Sequence, residues 1–144
     1  MTENGFSVTR VFDASRERVW REWTTPDAFA DWFGGPESDV PLDTVAMDVR
    51  PGGAWCATMY AGPGRREIRW WGEYREVEEP ERLVFTICDR EGDASELVTV
   101  FLRDLGDGRT EMQFEQRGGM RPDDYERAKA GWSGFFDRID ERLA

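Results

Sequence analysis

The amino-acid sequence predicts an α+β fold, in which a curved antiparallel β-sheet wraps around a long C-terminal helix and two short helices follow the first strand. Short segments with alternating apolar residues, separated by tight turns, fill most of the chain between residues 42 and 117. One long amphipathic segment follows them, and a helix formed by it would be long enough to cover a wide sheet. A chain of 144 residues is long enough for a core of its own, so we expect one domain over residues 1–144.

The first strand and the two short helices are predicted from residues near the start of the chain. The segment from Phe6 to Phe12 alternates roughly between apolar and polar residues, which is typical of a strand. Ser15 is a favourable N-cap for the helix that follows, and Pro26 is a favourable first-turn residue for the next helix. The segment Gly34-Gly35-Pro36 then ends the second helix.

The middle of the chain predicts a meander, and the end predicts a helix. Strands are expected at about 42–50, 55–59, 68–74, 83–88, 97–105 and 110–117, in a sheet of six or seven strands. Their connections are too short for crossovers, so neighbouring strands must be antiparallel. A polar loop is expected from Asp89 to Ser95. The last helix is expected from about Pro122 to Leu143, because apolar residues recur there at steps of three and four.

The composition excludes several classes of function. The chain has no His, which removes the commonest general base and metal ligand, so Ser-His-Asp and zincin-type sites are excluded. No glycine motif for binding phosphate groups occurs in the sequence. A net charge of −11 disfavours nucleic acids and anionic membranes as partners. We therefore expect no metal and no cofactor.

The two cysteines and the hydropathy pattern indicate where the protein works. Cys56 and Cys88 lack the spacing of a metal site or a redox motif, and we expect both as small buried residues in a reducing compartment. No apolar run has the character of a signal peptide or the length of a membrane span. We expect a cytoplasmic protein, either a monomer or a homodimer.

A curved sheet that grips a helix commonly leaves a cavity between them, and the aromatic content of this chain suits one. Aromatic residues make up 13% of the sequence, with 7 Trp. The expected cavity wall comprises Met47, Trp55, Met59, Trp70, Tyr74, Met112, Trp132 and Phe136. Each of these alone is more typical of a filled core, but together they suit an apolar site with adaptable Met side chains. Arg10 and Gln116 are candidate polar anchors, with a rim ion pair as the alternative role for Arg10.

Several short motifs recur in an order and spacing that are similar to those of a known family. They are Val19-Trp20, Trp23-Thr24-Thr25-Pro26-Asp27, Trp32, Asp48-Val49-Arg50-Pro51-Gly52-Gly53, Gly72 to Glu76, Pro80-Glu81-Arg82-Leu83 and Gly131-Trp132. Together they resemble the START-like (SRPBCC) superfamily, and within it the activator of Hsp90 ATPase (AHSA1-like) family. The resemblance covers nearly the whole chain and implies the helix-grip fold.

Fold alone does not settle function in such a superfamily, so three hypotheses stay open. The first is a protein that binds a small apolar molecule, aromatic or polyketide-like, and it follows from the aromatic content and the absence of His. The second is a polyketide cyclase or dehydratase-like enzyme that works by positioning, with Tyr, Arg and carboxylate groups. The third is an interaction protein on a chaperone, which only the family resemblance implies.

Overall fold

The computed structural model describes residues 4–89 and 95–144, and within them the chain forms a single antiparallel sheet with three α-helices. The strands are β1 (Asn4–Phe12), β2 (Ser38–Asp39), β3 (Ala46–Met47), β4 (Ala54–Ala61), β5 (Arg66–Glu78), β6 (Arg82–Ile87), β7 (Glu96–Asp104) and β8 (Thr110–Gly118). The helices are α1 (Arg16–Thr24), α2 (Pro26–Trp32) and α3 (Pro122–Leu143). The strand order is β1-β8-β7-β6-β5-β4-β2, and β3 also pairs with β4.

This architecture confirms the predicted fold class, including the two short helices after β1 and the long C-terminal helix that packs on the sheet. The sheet has eight strands in the described residues rather than six or seven, because two short strands pair with β4 at different points. No helix in residues 4–89 and 95–144 is long and apolar enough to cross a membrane. Residues 90–94 of the expected polar loop lie outside the described part of the chain.

The strand predicted over residues 42–50 is the main error in the secondary structure. A 3-10 turn occupies Leu42–Thr44, and only Ala46–Met47 pairs as a strand. The hydroxyl of Thr44 donates to the carbonyl of Pro41 at 2.7 Å and accepts the backbone N–H of Thr58 at 3.1 Å. The Thr44 hydroxyl therefore accepts an N–H of β4 that a backbone carbonyl would accept in a regular β-ladder.

Capping residues set the ends of the two short helices, and Thr25 both ends α1 and begins α2. The side chain of Ser15 caps α1 by accepting the N–H of Arg18 at 3.3 Å, as expected from the sequence. At the other end, the N–H of Thr25 donates to Arg21, while the carbonyl of Thr25 accepts the N–H of Phe29 and opens α2. The chain turns sharply here, so the apolar faces of both helices point into the core.

A cluster of aromatic rings joins α1, α3 and β8 in the core. Trp23 of α1 lies 6.1 Å from Trp132 of α3, measured between ring centroids, and 6.1 Å from Phe114 of β8. Trp132 in turn lies 4.7 Å from Phe114, and Phe136 lies 5.1 Å from the same ring. These four rings are buried, so α3 at the end of the chain is held to α1 and to β8 by apolar contacts.

The sheet is interrupted between β5 and β6 by the side chain of Trp55. Trp55 pairs with Gly72 across β4 and β5, and its indole N–H donates to the carbonyl of Thr86 on β6 at 2.9 Å. The N–H of Glu73 bonds the hydroxyl of Thr86 at 2.9 Å instead of its carbonyl. A Cβ on Gly72 would lie 1.8 Å from that carbonyl oxygen, so a glycine is needed for the indole to cross the strand.

Ion pairs tie the C-terminal end of α3 to both short helices. The guanidinium of Arg142 bonds the buried carboxylate of Glu22 on α1 at 2.6 Å, and it also contacts Asp31 on α2. Arg138 bonds the same Asp31 at 3.0 Å. Partial burial acts to raise the pKa of Asp31, but hydrogen bonds and positive charge from Arg142 and Arg138 outweigh it and hold that pKa below its ordinary value.

Replacement of Gly72 by Ala tests the interruption of the sheet. We expect Gly72→Ala to lower the free energy of unfolding by about 2–4 kcal/mol, because the new Cβ displaces the Trp55 indole from Thr86. Gly134→Ala is the matched control, since a Cβ there meets no atom within 4 Å and alanine favours the helix. Urea denaturation measures both, and an unchanged stability of Gly72→Ala would contradict the steric account.

The ion pairs of Asp31 predict a dependence of stability on pH. Because folding lowers the pKa of Asp31, its contribution is complete above the ordinary carboxyl range near about 4 and is lost as the pH falls through the folded-state value. Asp31→Asn should therefore be less stable than the wild type at pH 7 and should approach it in acid. Denaturation midpoints from neutral pH to about pH 3 measure this, with exposed Asp43→Asn as control. A constant gap between wild type and Asp31→Asn would refute the assignment.

Candidate functional site

A cleft of about 610 Å³ lies between the N-terminal half of α3 and the sheet. Helix α3 forms one side, and β5, the end of β6, the start of β7 and the end of β8 form the other. The lining residues are Phe33, Arg66, Trp70, Ile87, Cys88, Asp89, Glu96, Gln116, Met120, Asp124, Arg127, Ala128, Gly131, Trp132 and Phe135. The volume falls within the range of about 300–1,000 Å³ that is typical of small-molecule sites.

The cleft lies where the sheet opens. Continuous pairing of β5 with β6 ends at Tyr74 and Phe85, and beyond Gly72 the strands meet at an isolated bridge between Trp71 and Cys88. Trp70 and Ile87 lie next to that bridge, and both line the cleft. The crossing of Trp55 described above therefore separates the paired part of the sheet from the part that borders the cleft.

Four aromatic rings form the apolar wall. Phe33, just after α2, lies 5.9 Å from Trp70, 6.0 Å from Trp132 and 5.6 Å from Phe135. The rings of Trp132 and Phe135, which are three residues apart on α3, lie 5.4 Å from each other. Several of these pairs meet edge to face, which is a favoured arrangement of aromatic rings.

The inner end of the cleft is a buried polar network around Glu96. One oxygen of its carboxylate accepts the hydroxyl of Tyr125 at 2.7 Å and the side-chain amide of Gln116 at 3.2 Å. The other oxygen accepts the backbone N–H of Gly119 at 3.2 Å. Gln116 also accepts the indole N–H of Trp132 at 2.9 Å, so the network reaches the aromatic wall.

The close fit of the Glu96 carboxylate depends on the residue that ends β8. A Cβ on Gly118 would lie 1.9 Å from one of the Glu96 oxygens. Because Gly118 has no side chain, the carboxylate of Glu96 at the start of β7 can lie against the end of β8. Glu96 is 9% exposed as a result, although it stands at the start of β7.

The mouth of the cleft carries exposed charges of both signs. Arg66, Asp89 and Arg127 line it and are exposed to solvent. Arg127 forms an ion pair with Asp124 one turn earlier on α3. Solvent screens such surface charges, so the mouth offers weaker electrostatic discrimination than the buried inner end.

The structure brings three of the predicted site residues to the cleft. Trp70 and Trp132 form part of the aromatic wall, and Gln116 lies in the polar network at its inner end. Whether they contact a ligand remains a prediction.

The other predicted wall residues lie elsewhere in the core. Met47, Trp55 and Tyr74 border a separate space of about 10 Å³, which is close to the volume of one water. Met59, Met112 and Phe136 are buried and do not line the cleft. Strand alternation and helical periodicity identify the inward face, but they do not show how far along that face the packing is open.

Tyr74 is held in the neutral form by its surroundings. Burial, reinforced by the nearby charge of Asp48, raises the pKa of the Tyr74 phenol well above its ordinary value.

Arg10, the other predicted polar anchor besides Gln116, lies outside the cleft. Its guanidinium bonds Asp137 at 2.6 Å and the backbone carbonyl of Ser133 at 3.0 Å, which matches the alternative role of a rim ion pair.

The two cysteines differ in exposure. Cys88 is buried at the edge of the cleft, as expected, but Cys56 is exposed, so its predicted burial is wrong. Cys56 alternates with Trp55 and Ala57, which both face the core, and it therefore points outward. In the described part of the chain, no group of three or more Cys, Asp or Glu side chains is arranged to hold a metal ion.

Sequence reasoning missed Glu96, Phe33 and Phe135 as cleft residues. A signal for the helix side was present: Ala128 and Gly131 place small residues on the same face as Phe135, which leaves room above the sheet. No comparable signal marks Glu96, because its burial depends on Gly118 and Tyr125, which are distant in the sequence.

The sheet, the two short helices and the cleft under α3 define a helix-grip domain, a fold that commonly binds small hydrophobic ligands. The chain belongs to the family described as Activator of Hsp90 ATPase homolog 1-like protein, whose family model matches residues 13–144. This match confirms the resemblance noted in the sequence. No curated protein matches the chain.

Solved structures of similar fold come from several bacteria. Protein CV1439 from Chromobacterium violaceum is 25% identical, with a TM-score of 0.84 over 97% of each chain. The AHSA1 (SPO3351) protein from Silicibacter pomeroyi is 17% identical, with a TM-score of 0.86 over 97% of each chain. CalU16 from Micromonospora echinospora is 22% identical, with a TM-score of 0.70 over 99% of this chain and 77% of CalU16. The last two likenesses show the fold alone.

Truncation of Trp132 tests whether this residue belongs to the core as well as to the cleft wall. Trp132 is 6% exposed and bonds Gln116, so Trp132→Ala should lower the free energy of unfolding by about 3–5 kcal/mol. Trp132→Phe keeps a ring but removes the indole N–H, and should cost about 1–3 kcal/mol through the unpaired Gln116. Chemical denaturation compares the two, and a loss below about 1 kcal/mol for Trp132→Ala would contradict the core role.

Proposed function

We propose that this protein binds a small apolar, ring-containing molecule in the cleft between α3 and the sheet. The observation that carries the proposal is the wall of four aromatic rings, Phe33, Trp70, Trp132 and Phe135, around an open volume of about 610 Å³. Each ring contact with a ligand is worth about 0.5–1.5 kcal/mol beyond the burial of area. Two or three such contacts add about 1–4 kcal/mol to the free energy that burial of the ligand's apolar area contributes.

Binding, rather than turnover, is the proposed activity because the polar groups at the inner end are engaged with one another. The Glu96 carboxylate accepts three hydrogen bonds, and Gln116 is held by Trp132 and Glu96. A network bonded in this way is rigid, and the remaining acceptor capacity of its carboxylate can orient a ligand. Both cysteines are free thiols, which supports a reducing compartment such as the cytoplasm as the place of action.

Quenching of Trp fluorescence by a panel of neutral polycyclic aromatic compounds tests the proposal. We expect at least one compound to bind with Kd below about 1 mM, or ~4 kcal/mol, and to quench emission through Trp70 and Trp132. Calorimetry on the same compounds gives affinities that do not depend on the optical signal.

A matched pair of glycine variants locates the bound molecule. Gly131 lines the cleft and Gly134 does not, yet a Cβ at either position meets no atom within 4 Å. Gly131→Leu should therefore fill the cleft and weaken binding about tenfold or more, while Gly134→Leu should bind like the wild type. The proposal fails if no compound binds below about 1 mM, or if the two variants bind alike.

A further inference from the structure

We propose that the ligand carries a positive charge, as an amine attached to its ring system, and that the ammonium group meets the Glu96 carboxylate at the inner end of the cleft. This inference rests on the proposed function and names the chemical class that the same site selects. It is carried by the environment of Glu96, by the aromatic wall and by the distribution of charge along the cleft.

Among residues 4–89 and 95–144, the donors that hold Glu96 are all neutral. They are the Tyr125 hydroxyl, the Gln116 amide and the Gly119 backbone N–H. These three hydrogen bonds occupy the oxygens of the carboxyl group, but they supply no opposite charge in a site that is 9% exposed. A buried carboxylate gains more from a cation than a solvated one does, because little water screens the pair. An ammonium group of the ligand would supply the opposite charge.

The contrast with Glu22 shows that this arrangement is particular to the cleft. Glu22 is the other buried glutamate among the described residues, and the guanidinium of Arg142 pairs with it at 2.6 Å. The protein thus pairs a buried glutamate with its own arginine where it holds helices together. At the cleft it surrounds the carboxylate with neutral donors and open space.

The aromatic wall favours the same ligand charge. The faces of Trp and Phe rings are electronegative, so they attract a cation within about 6 Å of the ring centre. Trp132 directs its indole N–H to Gln116, and its ring belongs to the wall beside Phe33 and Phe135. A ring-bearing amine would therefore find ring faces for both its apolar body and its charged group.

The charges of the cleft and of the chain act in the same direction. Asp89, Glu96 and Asp124 line the cleft against Arg66 and Arg127, and Arg127 is paired with Asp124. Both arginines are exposed at the mouth, where solvent weakens their effect on a ligand at the inner end. The net charge of −11 raises the local concentration of cations around the whole molecule.

Three probes with one ring system and different charges test the inference at pH 7. They are naphthylmethylamine, naphthylmethanol and naphthoate, and calorimetry measures their affinities. We expect the amine to bind about tenfold or more tightly than the alcohol, and naphthoate to bind most weakly. Glu96→Gln keeps the size of the side chain but removes the charge, and should reduce the preference for the amine to about threefold or less.

Glu81→Gln is the control for net charge. Glu81 is exposed at the turn between β5 and β6, at the opposite end of β6 from Ile87, so its loss should leave the preference for the amine unchanged. Thermal denaturation shows whether Glu96→Gln is folded. If it is not, amide resonances of the wild type decide: the amine should shift the Gly119 N–H, which donates to Glu96, and the alcohol should not.

The outcomes separate this inference from the function on which it rests. If the alcohol or naphthoate binds as tightly as the amine, the charged class of ligand is wrong, while the cleft remains a site for ring systems. An amine preference that survives in folded Glu96→Gln would also overturn the assignment to Glu96. If none of the three probes binds, this inference fails, and the proposed function fails with it if the neutral polycyclic panel also gives no binding below about 1 mM.

Discussion

Packing of Trp132 against the sheet and the first helix holds α3 in place and so shapes both the core and the cleft. This one side chain touches Trp23 of α1 and Phe114 of β8, and it borders the cleft through its other edge. Helix α3 has little backbone contact with the sheet beyond β1, so side chains must hold it there. The position of α3 sets the width of the cleft, and Trp132 therefore links the stability of the fold to the shape of the site.

Opening of the sheet beside the cleft depends on a second aromatic residue. The Trp55 indole crosses Gly72 and takes the carbonyl of Thr86, which would otherwise bond a neighbouring strand. The carbonyl stays paired, so the interruption avoids the cost of a buried unsatisfied acceptor. A continuous β5–β6 ladder would extend regular pairing toward the rim, whereas the interruption leaves Trp70 and Ile87 beside open space.

The buried polar network gives the cleft one end that differs from its walls. Glu96, Gln116 and Trp132 come from β7, β8 and α3, so their alignment depends on the packing of all three elements. Burial of a carboxylate is costly unless its oxygens are bonded, and Tyr125 and Gly119 supply the remaining bonds.

The order and type of most elements can be predicted from local patterns, because alternation, helical periodicity and capping act between residues that are close in the chain. The boundaries of α3 agree with its apolar repeat, and Ser15 caps α1 as its position indicates. Local patterns do not show which inward residues fill the core, such as Met112, and which face the cleft, such as Trp70, because that depends on how the elements pack. The burial of Glu96 cannot be predicted from the sequence either. A periodic pattern shows on which face of an element a residue lies, but its depth and the open volume beside it depend on how distant parts of the chain pack together.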